Sequence, residues 1–408
     1  MMKCGLLGRK LGHSYSPQIH EHLGKYPYVL HEKEPEELGV FLRSGDFTGL
    51  NVTIPYKKDV LPYCSELSDC AKKLGAVNTI VRRSDGSLAG HNTDYFGFRY
   101  MLEDSGLQIS GKKVLVLGSG GASLTVVTVL KELGADVVVV SRSGENNYQN
   151  IHIHSDCAVI VNATPVGMYP HNGQSPVDLR HFPKLEGVLD LIYNPARTRL
   201  LLDAEIHGCI TRNGLWMLVA QAKESAEWFT GSKLDDALIP KIYQILQKST
   251  ENWILIGMPG CGKSAVGTRL AQLTGRPFVD ADAALIEKAG MPIPDFFQKF
   301  GENAFRKLET DVLRELGKRS GFIIATGGGC ITRQENYDPL HQNGRIIWLS
   351  RDLSKLPTEG RPLSQANRLS DMYQVRQPLY TAFADYAADN NGSVEDTCRY
   401  ILETEAKL

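Results

Sequence analysis

From Met1 to about Leu102, short apolar strands such as Gly49–Ile54 alternate with polar helices, the pattern of a small α/β unit. From Lys112 the order becomes regular. An apolar strand at Val114–Leu117 is followed by a glycine turn, a helix at Leu124–Leu133 and a second strand at Val137–Val140. Further strands are predicted at Ala158–Asn162 and Val188–Leu191, and two helices with apolar spacing at Gly214–Thr230 and Lys233–Lys248, which could return to the first unit. At Ser249-Thr250-Glu251-Asn252 the helical periodicity stops, and a new strand, Trp253–Ile256, opens at once into another glycine turn. That break is the predicted domain boundary. No internal repeat or low-complexity tract is visible.

Composition narrows the partners. A length of 408 residues implies two or three domains, each large enough for its own core. Lys plus Arg (45) nearly cancels Asp plus Glu (46), so no global field favours nucleic acid or an anionic membrane, and small-molecule substrates are expected. The first residues hold no apolar stretch long enough for a signal peptide, and no later stretch is long enough to span a bilayer, so the expected location is the cytoplasm. The eight cysteines (Cys4, Cys64, Cys70, Cys157, Cys209, Cys261, Cys330, Cys398) show no CxxC pair and no zinc-like spacing, and are expected to be mostly reduced, buried fillers.

The two glycine turns carry the chemistry. In the first, Gly118-Ser119-Gly120-Gly121-Ala122-Ser123, two glycines of G-x-G-x-x-G are present and Ser123 stands where the third is expected. The strand before it and the helix after it make this half a Rossmann unit. The next strand ends in Ser141-Arg142-Ser143; an Asp or Glu there would bind a ribose 2′-hydroxyl, whereas Arg142 suits a 2′-phosphate, so NADP is expected over NAD. The second turn, Gly257 to Ser264, fits the P-loop pattern G-x-x-x-x-G-K-S. Its backbone N–H groups face phosphate, Lys263 reaches the β and γ oxygens and Ser264 can hold Mg²⁺.

The first 248 residues resemble shikimate dehydrogenase. The resemblance rests on GHSYSPQIH (Gly12–His20), NVTIPYK (Asn51–Lys57), GAVNT (Gly75–Thr79), HNTD (His91–Asp94), NATPVGM (Asn162–Met168), DLIYNP (Asp190–Pro195) and GLWMLVAQA (Gly214–Ala222), all in the family's order. It implies reduction of 3-dehydroshikimate to shikimate with NADPH. Lys57 is then the candidate acid for the alkoxide that hydride transfer creates, with Asp94 paired to it and binding a ring hydroxyl. Ser14, Ser16, Thr53, Asn78, Tyr193 and Gln221 match substrate contacts. Asp69 and Gly214 match positions near the cofactor, which Gly118, Ser119, Gly120, Gly121, Ala122, Ser141, Arg142 and Ser143 are expected to bind. Taken singly these residues have plainer readings: Lys57-Lys58 as a solvated face, Asp94 as an Asx-turn or N-cap, Ser14 and Ser16 as the start of a helix. One departure stands out. Fewer than twenty residues separate Ser143 from Asn162, where the family usually has a helix and another strand, so the cofactor domain looks trimmed behind Arg142.

From Trp253 onward the chain resembles shikimate kinase, through FVDADAALIEKAG (Phe278–Gly290), DFFQKFGENAFRKLE (Asp295–Glu309), ATGGG (Ala325–Gly329), GRPL (Gly360–Leu363) and RQPLY (Arg376–Tyr380). The resemblance implies ATP held by Gly260, Cys261, Gly262, Lys263, Ser264 and Ala265, with Mg²⁺ at Ser264 and Asp280. Asp282 would accept from the attacking hydroxyl, Arg306 and Arg376 would clamp the shikimate carboxylate, and Gly328 would let its backbone approach the ring. Arg361 would sit on a lid over ATP, and Lys355 is a weaker candidate for an adenine contact. Without these motifs, Arg306 and Glu309 read as a surface pair and Asp280 with Asp282 as an acidic turn.

The two resemblances join, since the first half's product is the second half's substrate. The expected architecture is α/β. Residues 1–248 form a dehydrogenase-like region, with a substrate domain (1–102 plus about 214–248) and a trimmed Rossmann NADP domain (103–213). Residues 252–408 form a P-loop, nucleoside monophosphate kinase-like parallel sheet. The expected reading is a bifunctional enzyme using NADP(H), ATP and Mg²⁺ on 3-dehydroshikimate and shikimate. A kinase carrying a dehydrogenase-like module that binds without turnover is the alternative, as is a quinate/shikimate dehydrogenase half or use of NAD.

Overall fold

Uninterrupted runs of leucine and β-branched residues, such as those ending at Leu117 and Ile256, need burial on both faces, and that burial exists only in the middle of a parallel sheet. In the computed structural model, which describes residues 2–12, 14–356 and 369–407, both runs are interior strands with a parallel neighbour on each side. The chain divides into two units: Met1–Tyr193 with Leu200–Ile245, and Asn194–Arg199 with Leu246–Leu408. No helix among the described residues is long and apolar enough to cross a membrane.

The first unit holds two sheets. One comprises β1 (Cys4–Gly8), β2 (Tyr28–Glu32), β3 (Gly49–Val52), β4 (Glu66–Leu67), β5 (Thr79–Arg82) and β6 (Leu88–His91) in the order β2-β1-β3-β5-β6-β4. It is mixed: β1 runs parallel to β2 and β3, while β5 lies antiparallel to β3 and β6. The helix Leu215–Thr230 packs on Asp94–Ser105, on Ser16–Leu23 and on β3 and β5.

The second sheet is all parallel: β7 (Lys113–Leu117), β8 (Asp136–Val140), β9 (Val159–Asn162), β10 (Gly187–Asp190) and β11 (Ile210–Arg212), ordered β11-β10-β9-β7-β8. Alternation along β7 divides its side chains between two cores. Val114 and Val116 join Met101, Val126 and Val129, whereas Leu115 and Leu117 join Val140, Ile160 and Val188. Because β8 and β9 lie on opposite sides of β7, the strand order reverses there, and the carboxyl ends of these strands form the crevice where such sheets bind ligands.

The second unit is built on a third, parallel sheet of β12 (Asn252–Ile256), β13 (Phe278–Asp280), β14 (Ile323–Ala325), β15 (Gly344–Ser350) and β16 (Tyr386–Asp389), ordered β13-β14-β12-β15-β16. The P-loop leaves the end of the central strand, β12.

Three sequence expectations need adjusting. The strand expected to reach Ile54 ends at Val52, because the chain turns there for the loop carrying Lys57. The helix after the first glycine turn starts earlier than Leu124, at Gly121. The helix expected at Lys233–Lys248 runs from Leu238 to Thr250, which leaves only Glu251 before β12. Its first residues are diverted by the preceding helix: the Leu234 N–H donates to Glu227 Oε1 at 2.8 Å, and Lys233 Nζ to Glu227 Oε2 at 2.7 Å.

Candidate active sites

Beyond β3 the chain turns sharply, with the Tyr56 N–H donating to Thr53 O at 3.0 Å. The turn separates the two lysines: Lys57 is half-buried and Lys58 exposed. Lys57 Nζ donates to Asp94 Oδ2 at 2.5 Å, and the other carboxylate oxygen accepts from Asn78 Nδ2 at 2.9 Å. Asp94 is therefore not the cap of its helix, a position that falls to Thr93. Asn78 is held in one orientation, because the Thr93 N–H donates to its Oδ1 at 2.7 Å. Gln221 joins them, its Oε1 at 3.5 Å from Asn78 Nδ2. Beneath lies a buried node that motif reading did not single out. Ser225 Oγ is 2.8 Å from Asn51 Nδ2, 2.8 Å from Thr79 Oγ1 and 2.9 Å from Thr93 Oγ1.

Of the remaining expected substrate contacts, Ser14, Thr53 and Tyr193 lie on loops and Ser16 at a helix start. Ser16 begins the helix Ser16–Leu23, and its N–H donates to Ser14 Oγ at 3.2 Å, which is the geometry of the plainer helix-start reading of these serines. Tyr15, between them, has its ring 5.6 Å from that of Tyr193, which links this stretch to the loop after β10.

The first glycine turn lines a cavity of about 680 Å³ together with Ser141, Arg142 and Ser143. The opposite wall is the loop after β9, including Thr164 and Pro165. Backbone N–H groups at a helix start and a guanidinium with no ion pair among the described residues fit a dinucleotide carrying a 2′-phosphate. Gly118, Ser119 and Gly120 line it; Gly121 and Ala122 open the helix behind it and do not. Asp69 is exposed at the start of its helix, 3.5 Å from Lys72, and Gly214 caps the helix Leu215–Thr230; neither lines this cavity. Tyr148 does line it, unsignalled by any motif.

In the second unit, Gly262 sits at φ 99° as the N-cap of the helix Lys263–Thr274, a conformation that favours glycine. Lys263 Nζ donates to the carbonyls of Gly257 at 3.0 Å and Met258 at 3.1 Å. Ser264 Oγ donates to Asp280 Oδ2 at 2.5 Å, and Asp280 Oδ1 caps the Asp282 N–H at 2.9 Å. This set fits Mg²⁺, which takes few protein oxygens and completes its shell from water and substrate phosphate. One cleft of about 560 Å³ gathers Lys263, Ser264, Asp280, Asp282, Arg306 and Arg376. Gly260, Ala265 and Gly328 line it as well; Cys261 is fully buried and does not.

Arg306 and Glu309 do pair, at 2.7 Å, but in the interior and not on the surface. Burial pushes the Glu309 carboxyl above its usual range while Arg306 pulls it down. A Cβ at Gly329 would lie 2.4 Å from the Arg306 guanidinium, so the glycine lets that side chain pass. Arg376 and Tyr380, one turn apart on the helix Leu369–Phe383, both donate to Gly328 O, at 3.2 and 2.6 Å. Lys355 is exposed, its Nζ on Asn391 O at 3.1 Å. Arg361 and the rest of Gly360–Leu363 lie outside the described residues.

Two residues beside the P-loop escaped the motifs. Asn390 Nδ2 donates to Cys261 O at 2.5 Å, and Arg351 Nε is buried without a hydrogen-bond partner among the described residues. Each is the first residue past the carboxyl end of a parallel strand, and that position is the signal available in sequence.

Residues 6–80 match the family described as shikimate dehydrogenase substrate binding domain, and residues 259–405 match shikimate kinase. The chain is 38% identical over 265 residues to the shikimate dehydrogenase (NADP(+)) of Clostridium beijerinckii, covering 60% of this chain and 97% of that protein. Among solved structures it resembles a chorismate mutase/shikimate 5-dehydrogenase fusion protein from Clostridium acetobutylicum, with 38% identity and a TM-score of 0.57, over 60% of this chain and 97% of that one. It also resembles a quinate dehydrogenase from Corynebacterium glutamicum in complex with NAD, with 29% identity and a TM-score of 0.56, over 60% and 99% of the two chains.

Proposed function

This chain belongs to the shikimate dehydrogenase family and carries a shikimate kinase domain as well, which makes it a bifunctional enzyme of the shikimate pathway, and we propose that Lys57 with Asp94 and Lys263 with Asp282 are its two catalytic pairs. It uses NADP(H), ATP and Mg²⁺. In this reading, 3-dehydroshikimate is reduced to shikimate in the region 1–248, with 1–102 and about 214–248 binding the ring and 103–213 the cofactor. Shikimate is then phosphorylated to shikimate 3-phosphate in the region 252–408.

Bound NADPH supplies the hydride, and Mg²⁺-ATP the phosphoryl group. The chain's own residues supply the rest. The Lys57 ammonium faces the ketone oxygen, stabilises the alkoxide as negative charge develops and gives it a proton. Asp94 keeps that ammonium aimed and accepts a ring hydroxyl, while Asn78 and Gln221 donate to the substrate's other oxygens. Arg142 takes the 2′-phosphate. In the kinase, Arg306 and Arg376 receive the substrate carboxylate, Asp282 accepts the proton of the attacking hydroxyl, Lys263 steadies the terminal phosphates and Ser264 with Asp280 holds the metal.

The observation that carries this reading is the 2.5 Å contact of Lys57 with Asp94, which also speaks against a dehydrogenase-like module that merely binds. The paired variants Lys57→Ala and Lys263→Ala test it in the intact chain. The first should abolish only NADPH oxidation with 3-dehydroshikimate, and the second only phosphorylation of shikimate. Loss of both activities in either variant contradicts two separate sites.

A further inference from the structure

The connection from β8 to β9 is short, and its asparagines, through both backbone and side chain, stitch it into a fixed shape. The Ser141 N–H donates to Asn146 O at 3.0 Å, the Asn147 N–H to Asn150 Oδ1 at 2.8 Å, and Asn150 Nδ2 to Glu145 O at 2.9 Å. His154 Nε2 pairs with Asn146 Oδ1 at 2.9 Å, within a single turn of 3-10 helix that leads toward β9. Among the described residues no strand pairs with the outer side of β8, so this loop forms the wall of the crevice on that side.

Tyr148 stands in the middle of the loop. It packs against the core that contains Val140 and Ile151, and it also lines the cavity shared by Gly118, Arg142 and Pro165. Its phenol is pushed up by burial, with the nearby Arg142 charge pulling the other way. Among the described residues, neither the Tyr148 hydroxyl nor the Arg142 guanidinium has a protein partner, whereas the loop's asparagines are all engaged. A rigid aromatic ring held beside an unpaired cation, with Pro165 and Pro176 also lining the cavity, matches a flat heteroaromatic ring attached to an anion. In a sheet of this type, the end of the ligand beyond the glycine turn reaches the carboxyl end of the second strand, here β8.

We propose that Tyr148 is the adenine platform of the dinucleotide site, its ring stacking on the base while Arg142 beside it takes the 2′-phosphate. The trimmed segment thus keeps an adenosine subsite without the missing helix and strand. This inference rests on the cofactor reading given above.

The test is calorimetric binding to the full chain of NADP⁺, ADP-ribose, 2′-phospho-ADP-ribose and nicotinamide mononucleotide. Tyr148→Leu keeps an apolar contact with the core and removes the stacking face. It should weaken all three adenine-containing ligands by a similar factor, about tenfold, and leave the mononucleotide unchanged. Tyr148→Phe should stay within about twofold of the parent chain, because it keeps the ring. Arg142→Ala should weaken only the two ligands with a 2′-phosphate. Shikimate phosphorylation by each variant reports that the chain is intact. Adenine-ligand affinities of Tyr148→Leu within about twofold of the parent, or a loss confined to the 2′-phosphorylated pair, overturn the proposal. If Arg142→Ala and Gly118→Val leave NADP⁺ affinity unchanged, the cofactor reading itself is wrong; if they lose it while Tyr148→Leu does not, only the platform is.

Discussion

The side chains of Lys57 and Asp94 meet at 2.5 Å although 37 residues separate them in the chain, and Asn78 occupies the carboxylate oxygen that Lys57 leaves. Asp94→Asn keeps the shape of this arrangement and removes its charge. The ammonium then loses the partner that aims it, and kcat for 3-dehydroshikimate reduction should fall by about 10² to 10⁴. Shikimate phosphorylation by the same chain should not change. Steady-state assays of both reactions on one preparation check this, and a reductase kcat within a factor of about three of the parent would remove Asp94 from the catalytic pair.

Ser225 acts on that pair only through others. Its Oγ is 2.8 Å from Asn51 Nδ2 and donates to Gln221 O at 2.9 Å, all within the core. Ser225→Ala leaves Asn51 Nδ2 with a 3.4 Å contact to Thr79, a poorly satisfied buried donor costing about 1–3 kcal/mol, while Asn51 Oδ1 still accepts from the Tyr28 hydroxyl. The urea midpoint of the first unit should drop accordingly. Asn78 loses part of its support as well, so KM for 3-dehydroshikimate should rise several-fold while the KM for NADPH holds. Equal rises in both would point to general loosening and not to a fault at Asn78.

Acid stability should depend on His91. Its ring stacks on Trp228 with centroids 3.6 Å apart, its Nδ1 is buried without a partner among the described residues, and burial lowers its pKa from 6.5 to about 4. Above pH 6.5 the ring is neutral whether the chain is folded or not. Between pH 6.5 and 4 the unfolded chain takes up a proton that the folded chain refuses, so stability falls with falling pH, by roughly 3 kcal/mol at most, and levels off below pH 4. His20, fully buried and lowered to about 3, adds a second slope of the same sign. His91→Phe keeps the stack and cannot titrate. Its urea midpoint should decline less steeply than the parent's over this range, and parallel declines would show that His91 contributes nothing.

What sequence made legible follows from where burial is two-sided. β7 and β12 are enclosed on both faces, so their apolar runs are unbroken and easily read. β2 is an edge strand with Val29 and Leu30 exposed, and it carries no such pattern. The helix start misplaced at Lys233 depends on Glu227 drawing the chain out of helical geometry, a contact that composition does not foretell. The same holds within the sites. Lys57, Asp94, Lys263 and Asp280 announce themselves through motifs because chemistry fixes their neighbours. Ser225 reaches Thr79 across 146 residues, and Tyr148 acquires its cavity from the way the short loop folds, so neither leaves a local trace.

In the kinase unit, Arg306 and Glu309 are an interior pair, with side-chain exposures of 7% and 4%. Glu309→Ala removes the buried counter-charge and leaves the guanidinium the longer, 3.5 Å contact with the exposed Glu302; loss of a buried partner costs about 3–5 kcal/mol in comparable interiors, and should lower the denaturation midpoint of the second unit by up to that amount. Glu309→Gln retains an acceptor of the same size and should cost less. The functional effect has the same origin: Arg306 can meet a substrate carboxylate squarely only while Glu309 fixes one edge of its fork. KM for shikimate should therefore rise several-fold in Glu309→Ala and much less in Glu309→Gln, with KM for ATP steady in both. Should the two variants raise the shikimate KM equally, charge and not orientation is what Glu309 provides, and the aim of Arg306 must be set by its packing on Phe305 and against Gly329.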